Sequence, residues 1–114
     1  MVEEKKQIKQ EFKKEIENIT QQLIAKYRPE KIILFGSFAR GEETENSDID
    51  LLFVKESAQK RPFRIKEVFT ALRGLRRDYP LDPIVYTAQE LEKRKALGDY
   101  FIKRVLAEGK ILYG

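Results

Sequence analysis

Hydrophobic residues recur at steps of three and four through the first quarter of the chain, which predicts one amphipathic helix over residues 3–27. Lysine and glutamate fill most of the other positions, and Pro29 ends the pattern. The apolar stripe of this helix packs against either the core of the domain or a partner. Its members are Ile8, Phe12, Ile16, Ile19, Leu23 and Tyr27.

Short apolar runs bounded by polar or turn-forming residues follow, and they are typical of β-strands. The residues from Leu51 to Val54 are apolar on both faces, which favours a central strand. Pro83 favours an edge strand or the start of a strand, because proline cannot donate a ladder hydrogen bond. The predicted strands cover Lys31 to Phe35, Ile49 to Val54 and Leu81 to Tyr86, and Lys110 to Tyr113 can form a last short strand.

Helical patterns separate and follow these strands. Phe38 to Arg40 can form a short turn of helix, and Pro62 suits the first turn of a longer one. Thr87 and Glu90 match a capping box, so a further helix begins near Ala88, is interrupted at Gly98 and stops at Gly109. The apolar stripes of these helices are Ile65, Val68, Phe69, Leu72 and Leu75, and then Tyr100, Phe101, Val105 and Leu106. The order of elements predicts an α+β (mixed α/β) fold, with a small mixed sheet flanked by helices.

Length and composition indicate one small globular domain. The 114 residues fit a single domain over 1–114, with an N-terminal helix over 1–28 and a core over 31–114. The net charge of +4 is compatible with an anionic substrate, but simple solubility explains it more readily. No run is long and apolar enough to cross a membrane, and the N-terminus is charged, so we expect a cytoplasmic location.

The chain contains neither cysteine nor histidine. This excludes disulfides, thiolate nucleophiles, cysteine-based zinc sites and the serine–histidine type of catalysis. Any catalysis must therefore rest on carboxylates, hydroxyls, lysines, tyrosines or a metal ion. Oxygen ligands favour magnesium, manganese or calcium.

Two aspartates stand at the head of the second strand, where this residue type is uncommon. Asp48 and Asp50 are two positions apart, so both point the same way in a strand, and their repulsion favours a bound cation. Gly36 and Ser37 follow the first strand; taken alone they form an ordinary turn, but a glycine turn that opens a helix also suits a phosphate. Asp82 begins the third strand and supplies either a third carboxylate or a turn residue before a proline.

Together these features resemble the minimal nucleotidyltransferases of the DNA polymerase beta-like superfamily. The motif of that family is Gly-Ser, about ten residues, and Asp-x-Asp, followed by an acidic residue on a later strand. Here ten residues separate Gly36-Ser37 from Asp48-Ile49-Asp50, and Asp82 lies on the third strand. The resemblance extends over most of the chain from about residue 20 to the ending Glu108 to Tyr113.

The resemblance implies a magnesium-dependent transfer of AMP from ATP to a hydroxyl group, with release of pyrophosphate. Arg40 either adds positive charge near the phosphates or is a surface turn residue. The resemblance makes Asp82 the third carboxylate of the metal site and also the group that activates the acceptor hydroxyl. The implied catalytic and metal-binding residues are Asp48, Asp50 and Asp82, and the implied phosphate-binding residues are Gly36 and Ser37.

The resemblance also implies a partner. Members of this family are commonly antitoxins paired with a HEPN-family ribonuclease toxin, and in such pairs they can transfer AMP to a tyrosine of the toxin, so the chain would act as an antitoxin in a hetero-oligomer. Two alternatives remain open: transfer to a small molecule or an RNA end, and binding of a toxin without catalysis. Nucleic-acid binding is a weaker alternative, because no aromatic stacking platform is evident, and it rests on Arg61, Arg64, Lys66, Arg73, Arg76 and Arg77.

Overall fold

The computed structural model describes residues 2–114, and side chains from residue 10 onward. Each predicted strand has the bounds that the sequence predicted, and α2 begins one residue earlier than expected. Ile8 of the predicted helical stripe lies outside the described side chains. The elements in chain order are α1 (Val2–Lys26), β1 (Lys31–Phe35), α2 (Ser37–Arg40), β2 (Ile49–Val54), α3 (Arg61–Ala71), β3 (Leu81–Tyr86), α4 (Ala88–Ala96), α5 (Tyr100–Glu108) and β4 (Lys110–Tyr113).

The strands form one mixed sheet in the order β3-β2-β1-β4. β1 runs antiparallel to both β2 and β4, whereas β2 and β3 are parallel and are joined through α3. The predicted α+β fold is therefore confirmed, with β2 inside the sheet and the proline-containing β3 at an edge. The register places Asp50 between Phe35 on one side and Asp82 on the other.

Helices cover both faces of the sheet, and alternate residues of β2 enter different cores. Ile49, Leu51 and Phe53 pack with residues of α1 and α3 in one cluster. Leu52 and Val54 point the other way and pack with Ile102 and Val105 of α5 and with Leu91 of α4. Because side chains alternate along a strand, Asp50 lies on the α4–α5 face, at the end of the apolar row.

The first helix packs against α2 and against the segment that leads into β3. The ring of Phe12 lies 4.3 Å from that of Phe38 and 3.9 Å from that of Tyr79, measured between centroids. The buried carboxylate of Glu15 accepts hydrogen bonds from the backbone N–H groups of Asp78 at 2.6 Å and Tyr79 at 3.0 Å. The stripe of α1 therefore packs against the core of this chain, which was one of its two expected roles.

A buried arginine joins α3 to α4. Arg64 is 7% exposed, and its guanidinium donates to the carboxylate of Glu90 at 2.6 Å and to the carbonyls of Gln59 at 2.7 Å and Val85 at 3.4 Å. The predicted capping box is present: the Glu90 amide donates to the Thr87 hydroxyl, and the Thr87 amide donates to the Glu90 carboxylate. One carboxylate thus caps α4 and neutralises Arg64.

Two predicted apolar stripes differ from the structure. On α3 the predicted Phe69 is exposed, whereas Arg64, which was not part of the predicted stripe, is buried. On α5 the predicted Tyr100, Phe101 and Leu106 are exposed, whereas Val105 and the overlooked Ile102 are buried. Apolar residues lie on more than one side of α5, so packing against the sheet, rather than the pattern alone, selects the buried side. Within residues 2–114, no helix combines the length and the apolar character that a membrane span requires.

Candidate active site

Parallel pairing of β2 with β3 brings two of the predicted site residues together. Asp50 and Asp82 are register partners on neighbouring strands, so their side chains share one face of the sheet. Asp50 is half-buried and Asp82 is exposed. Asp48 is exposed in the loop that enters β2, and the Ile49 amide donates to the Pro80 carbonyl at 2.8 Å, which ties that loop to the start of β3.

The environment of Asp50 disfavours the ionised form of its carboxylate. Burial is the main cause that raises the pKa of Asp50 to about 6, and the negative charges of Asp82 and Asp48 and a hydrogen bond with Asp82 add to it. The guanidinium of Arg40 acts in the opposite direction. A half-buried carboxylate beside two like charges is the arrangement that a bound cation would relieve.

The turn after β1 is built around the carboxylate of Asp50. Gly36 has a φ of 76°, in the left-handed region that favours glycine. A Cβ atom at this position would collide with Oδ2 of Asp50, because the carboxylate lies directly against the backbone of the turn. Ser37 then begins α2 and is half-buried. The two halves of the motif, distant in sequence, therefore meet at one point.

Arg40 lies on the far side of this turn and is held by two carboxylates. Its Nε atom is 3.1 Å from Oε2 of Glu42, and its Nη1 atom is 3.5 Å from Oε2 of Glu108. The hydrogen bond to Glu42 is the main cause that raises the pKa of Arg40 above its usual value. Arg40 thus lines the same cleft as Gly36 and is also an exposed residue just before Gly41, and its role near the phosphates stays a prediction.

A cleft of about 250 Å³ opens beside Gly36, between the turn and α5. The α5 residues of the cleft could not be assigned to the site from the sequence, because more than sixty positions separate them from Gly36. The one residue of the sequence that could have indicated this cleft is Gly109. A Cβ atom at this position would collide with the Val105 carbonyl and with Ile33, so only glycine lets α5 end tightly against β1. The cleft is lined by Phe35, Gly36, Arg40, Phe101, Arg104, Val105 and Glu108.

The carboxylates suit magnesium without forming a complete cage. In the described part of the chain, no three acidic, histidine or cysteine side chains converge tightly enough to hold a metal ion by themselves. Magnesium is commonly held by one or two carboxylates together with substrate phosphates, and all the donors here are carboxylate oxygens. Asp50 and Asp82, with Asp48 nearby, therefore fit this ion as a site that a phosphate ligand would complete.

The basic residues around α3 do not all face solvent as free charges. Arg64 is buried in the ion pair with Glu90. The guanidinium carbon of Arg61 lies 4.7 Å from the centroid of the Tyr86 ring, and Arg76 pairs with Asp78 at 3.6 Å. Part of the predicted basic cluster therefore serves contacts within the chain.

Known proteins share both the sequence and the fold of this chain. The sequence profile of the nucleotidyltransferase domain matches residues 5–112. A protein of Methanocaldococcus jannaschii named "putative protein adenylyltransferase" is 38% identical over 102 residues, which cover 88% of this chain and 96% of that protein. A second protein of the same name and organism is 36% identical over 81 residues, which cover 70% of this chain and 77% of that protein.

Among solved structures, a chain from the crystal structure of a toxin–antitoxin with AMP-PNP matches with a TM-score of 0.57 and 24% identity, over 89% of this chain and 72% of that chain. At this identity the likeness is one of fold. Because the family profile covers nearly the whole sequence and the Gly36 turn meets the paired aspartates in space, the chain belongs to the nucleotidyltransferase domain family and is an enzyme of nucleotidyl transfer.

Proposed function

We propose that this protein is a magnesium-dependent adenylyltransferase that transfers AMP from ATP to a tyrosine hydroxyl of a HEPN-family toxin, and that it acts as an antitoxin. The observation that carries the proposal is the contact of the Asp50 carboxylate with the Gly36 turn, with Asp82 beside it. Two relatives named as protein adenylyltransferases, and a toxin–antitoxin structure of similar fold, support the acceptor class.

In this proposal the residues divide the work by position. Gly36 and Ser37 bind the β- and γ-phosphates. Magnesium would be held by Asp48, Asp50 and Asp82, and it would supply positive charge to the phosphates when bound. The acceptor oxygen forms a bond to the α-phosphorus while the bond from that phosphorus to the bridging oxygen breaks. Pyrophosphate leaves, and the hydroxyl proton passes to the exposed carboxylate of Asp82.

The acceptor comes from outside the chain. The helices cover the sheet on both faces, but the site lies at the N-terminal end of β2, where Asp82 is exposed, so a side chain of a second molecule can approach Asp82 from solvent. A tyrosine presented by a bound toxin satisfies this requirement. The proposed working unit is therefore a hetero-oligomer of this chain with its toxin.

The proposal is tested by incubating the protein with ATP labelled at the α-phosphate, magnesium and the HEPN-like product of a neighbouring gene. We expect label on the neighbour, loss of label when its acceptor tyrosine becomes phenylalanine, and loss with Asp50→Asn. Asp78→Asn is the matched control, since Asp78 is exposed and pairs only with Arg76 among the described residues. No label on the neighbour, under conditions in which a characterised family member labels its own partner, would contradict the proposal.

A toxin-neutralisation assay separates catalysis from binding. We expect the Asp48→Asn and Asp50→Asn double variant to lose neutralisation while it still associates with the toxin. Full neutralisation by this variant would mean that binding alone suffices, which is the non-catalytic alternative.

A further inference from the structure

Three charged side chains from two distant parts of the sequence form a cluster at the rim of the cleft beside Gly36. The Glu108 carboxylate bridges two arginines: Oε2 lies 3.5 Å from Nη1 of Arg40, and Oε1 lies 3.5 Å from Nη2 of Arg104. Arg40 belongs to α2, directly after the Gly36 turn, whereas Arg104 and Glu108 are one turn apart on α5. Two guanidinium groups thus converge on one carboxylate beside the turn.

The position of this cluster relative to the aspartates is set by the order of the sheet. Asp82, Asp50 and the Gly36 turn follow one another across β3, β2 and β1, and the cluster lies beyond Gly36, between the turn and α5. A triphosphate that extends from the aspartates past Gly36 would therefore direct its terminal phosphates toward Arg40 and Arg104. Phe35 and Phe101 form an apolar wall of the same cleft, with ring centroids 5.6 Å apart.

We infer that Arg104 is a further nucleotide-binding residue, which together with Arg40 binds the terminal phosphates of a nucleoside triphosphate. Glu108 engages both guanidinium groups until the phosphates replace it. This inference rests on the proposed function, and it adds a means by which the site distinguishes a triphosphate from a monophosphate.

The exchange of Glu108 for phosphate is favourable on electrostatic grounds. The side chains of Arg40, Arg104 and Glu108 are 35%, 52% and 37% exposed, so solvent screens their ion pairs and weakens them. Phosphate carries more charge than one carboxylate and accepts two parallel hydrogen bonds from a guanidinium. The carboxylate is therefore a weak competitor that a triphosphate displaces.

The test measures the affinity of the intact protein for ATP and for AMP by calorimetry, with magnesium and at fixed ionic strength. We expect Arg104→Gln to weaken ATP binding about tenfold, the loss of one charge-assisted contact, and to leave AMP binding unchanged. Glu108→Gln should tighten ATP binding about threefold, because it removes the competing charge. Lys103→Gln is the matched control, an exposed cation on the same helix outside the cleft, and it should bind ATP like the wild type.

The possible results distinguish the role of Arg104 from the proposed function. Equal ATP affinity of the Arg104→Gln and Lys103→Gln variants, or an equal loss for ATP and AMP, would overturn the role of Arg104 and leave the proposed function standing. A wild-type protein that binds ATP but never transfers AMP would contradict the proposed function alone. A wild-type protein that does not bind ATP would overturn both.

Discussion

The geometry of this site depends most on the lack of a side chain at Gly36. Its backbone is in the left-handed region, and the carboxylate of Asp50 occupies the space that a Cβ atom would need. We expect Gly36→Ala to lower the free energy of unfolding by about 3 kcal/mol, from backbone strain and the forced movement of Asp50, and to abolish transfer. Urea unfolding and labelled-ATP transfer measure the two effects.

Gly74 supplies the control for this prediction. It also has a positive φ, 83°, but an added Cβ atom would meet nothing within 4 Å. Gly74→Ala should therefore cost only the strain of about 1 kcal/mol and leave transfer intact. If the two variants lose the same stability and the same activity, the contact with Asp50 is not what requires glycine.

The ionised carboxylate of Asp50 lowers the stability of the folded protein, although the proposed function requires it. Because its folded-state pKa is raised to about 6, the folded protein holds the proton more tightly than the unfolded chain, and stability falls as the pH rises from about 4 to 6. Asp50→Asn should raise the free energy of unfolding at pH 8 on the order of 1 kcal/mol, a value discounted for the screening of a half-exposed group. The gain should shrink toward pH 4.

Thermal unfolding of the Asp50→Asn variant and the wild type across this pH range, without added metal, makes the measurement. Asp78→Asn controls for the loss of one exposed negative charge. A variant that is less stable than the wild type at pH 8 would show that the Asp50 carboxylate supports the fold instead of opposing it.

At the scale of elements, the Glu90 carboxylate joins α3, β3 and α4. Hydrogen bonds from Arg64 are the main cause that lowers the pKa of Glu90 to about 2. Its stabilising effect is therefore present above the usual pKa of a glutamate, near 4.5, and is lost as the pH falls through about 2. We expect Glu90→Ala to cost about 3 kcal/mol at pH 7, since it leaves a buried guanidinium without its partner and removes a helix cap.

Chemical unfolding of Glu90→Ala beside Glu92→Ala provides the comparison. Glu92 lies on the same helix but is exposed and pairs with Lys95 at the surface, so its loss should cost less than about 0.5 kcal/mol. Similar values for the two variants would contradict the role assigned to the Arg64–Glu90 pair.

The helix α1 supports the site through Glu15 as well as through its apolar stripe. Glu15→Gln keeps the shape of the side chain but leaves only one oxygen to accept from the two amides of Asp78 and Tyr79. We expect a loss of about 1–3 kcal/mol, because an amide is left buried without a partner. Glu17→Gln, on the exposed side of the same helix, should leave the free energy of unfolding unchanged. Equal unfolding curves for the two variants would refute this interpretation.

At the scale of the whole molecule, ligand and fold should stabilise each other. In the proposed function a magnesium–ATP complex binds Asp50 of β2, Asp82 of β3 and the Gly36 turn after β1, so it would contact the folded state alone. At a ligand concentration one hundred times Kd, we expect the complex to add about 2.7 kcal/mol to the free energy of unfolding. Removal of magnesium with EDTA should abolish most of the increase in Tm, and an unchanged Tm with EDTA would contradict a metal-dependent site.

Much of the fold and part of the site could be predicted from the sequence. Strand bounds, the Thr87–Glu90 capping box and the motif linking Gly36 to Asp50 depend on short-range patterns of residue type and spacing. Asp82 begins the third strand as expected and lies opposite Asp50 in the parallel register, although the binding roles of these residues remain predictions. Burial of Arg64 could not be predicted, because its carboxylate partner lies 26 positions away and charged residues are usually exposed.

The sequence by itself determined where the elements begin and end and which residues are chemically able to act, because helix caps, strand alternation and glycine turns depend on neighbours along the chain. Only the tertiary structure decided which of those residues meet. The parallel register places Asp50 opposite Asp82, and the packing of α5 buries Ile102 and Val105 in the core. The close approach of Gly109 to β1 positions Arg104 and Glu108 beside the Gly36 turn. These outcomes depend on contacts across many residues, where the free energy of packing the whole sheet outweighs local preference.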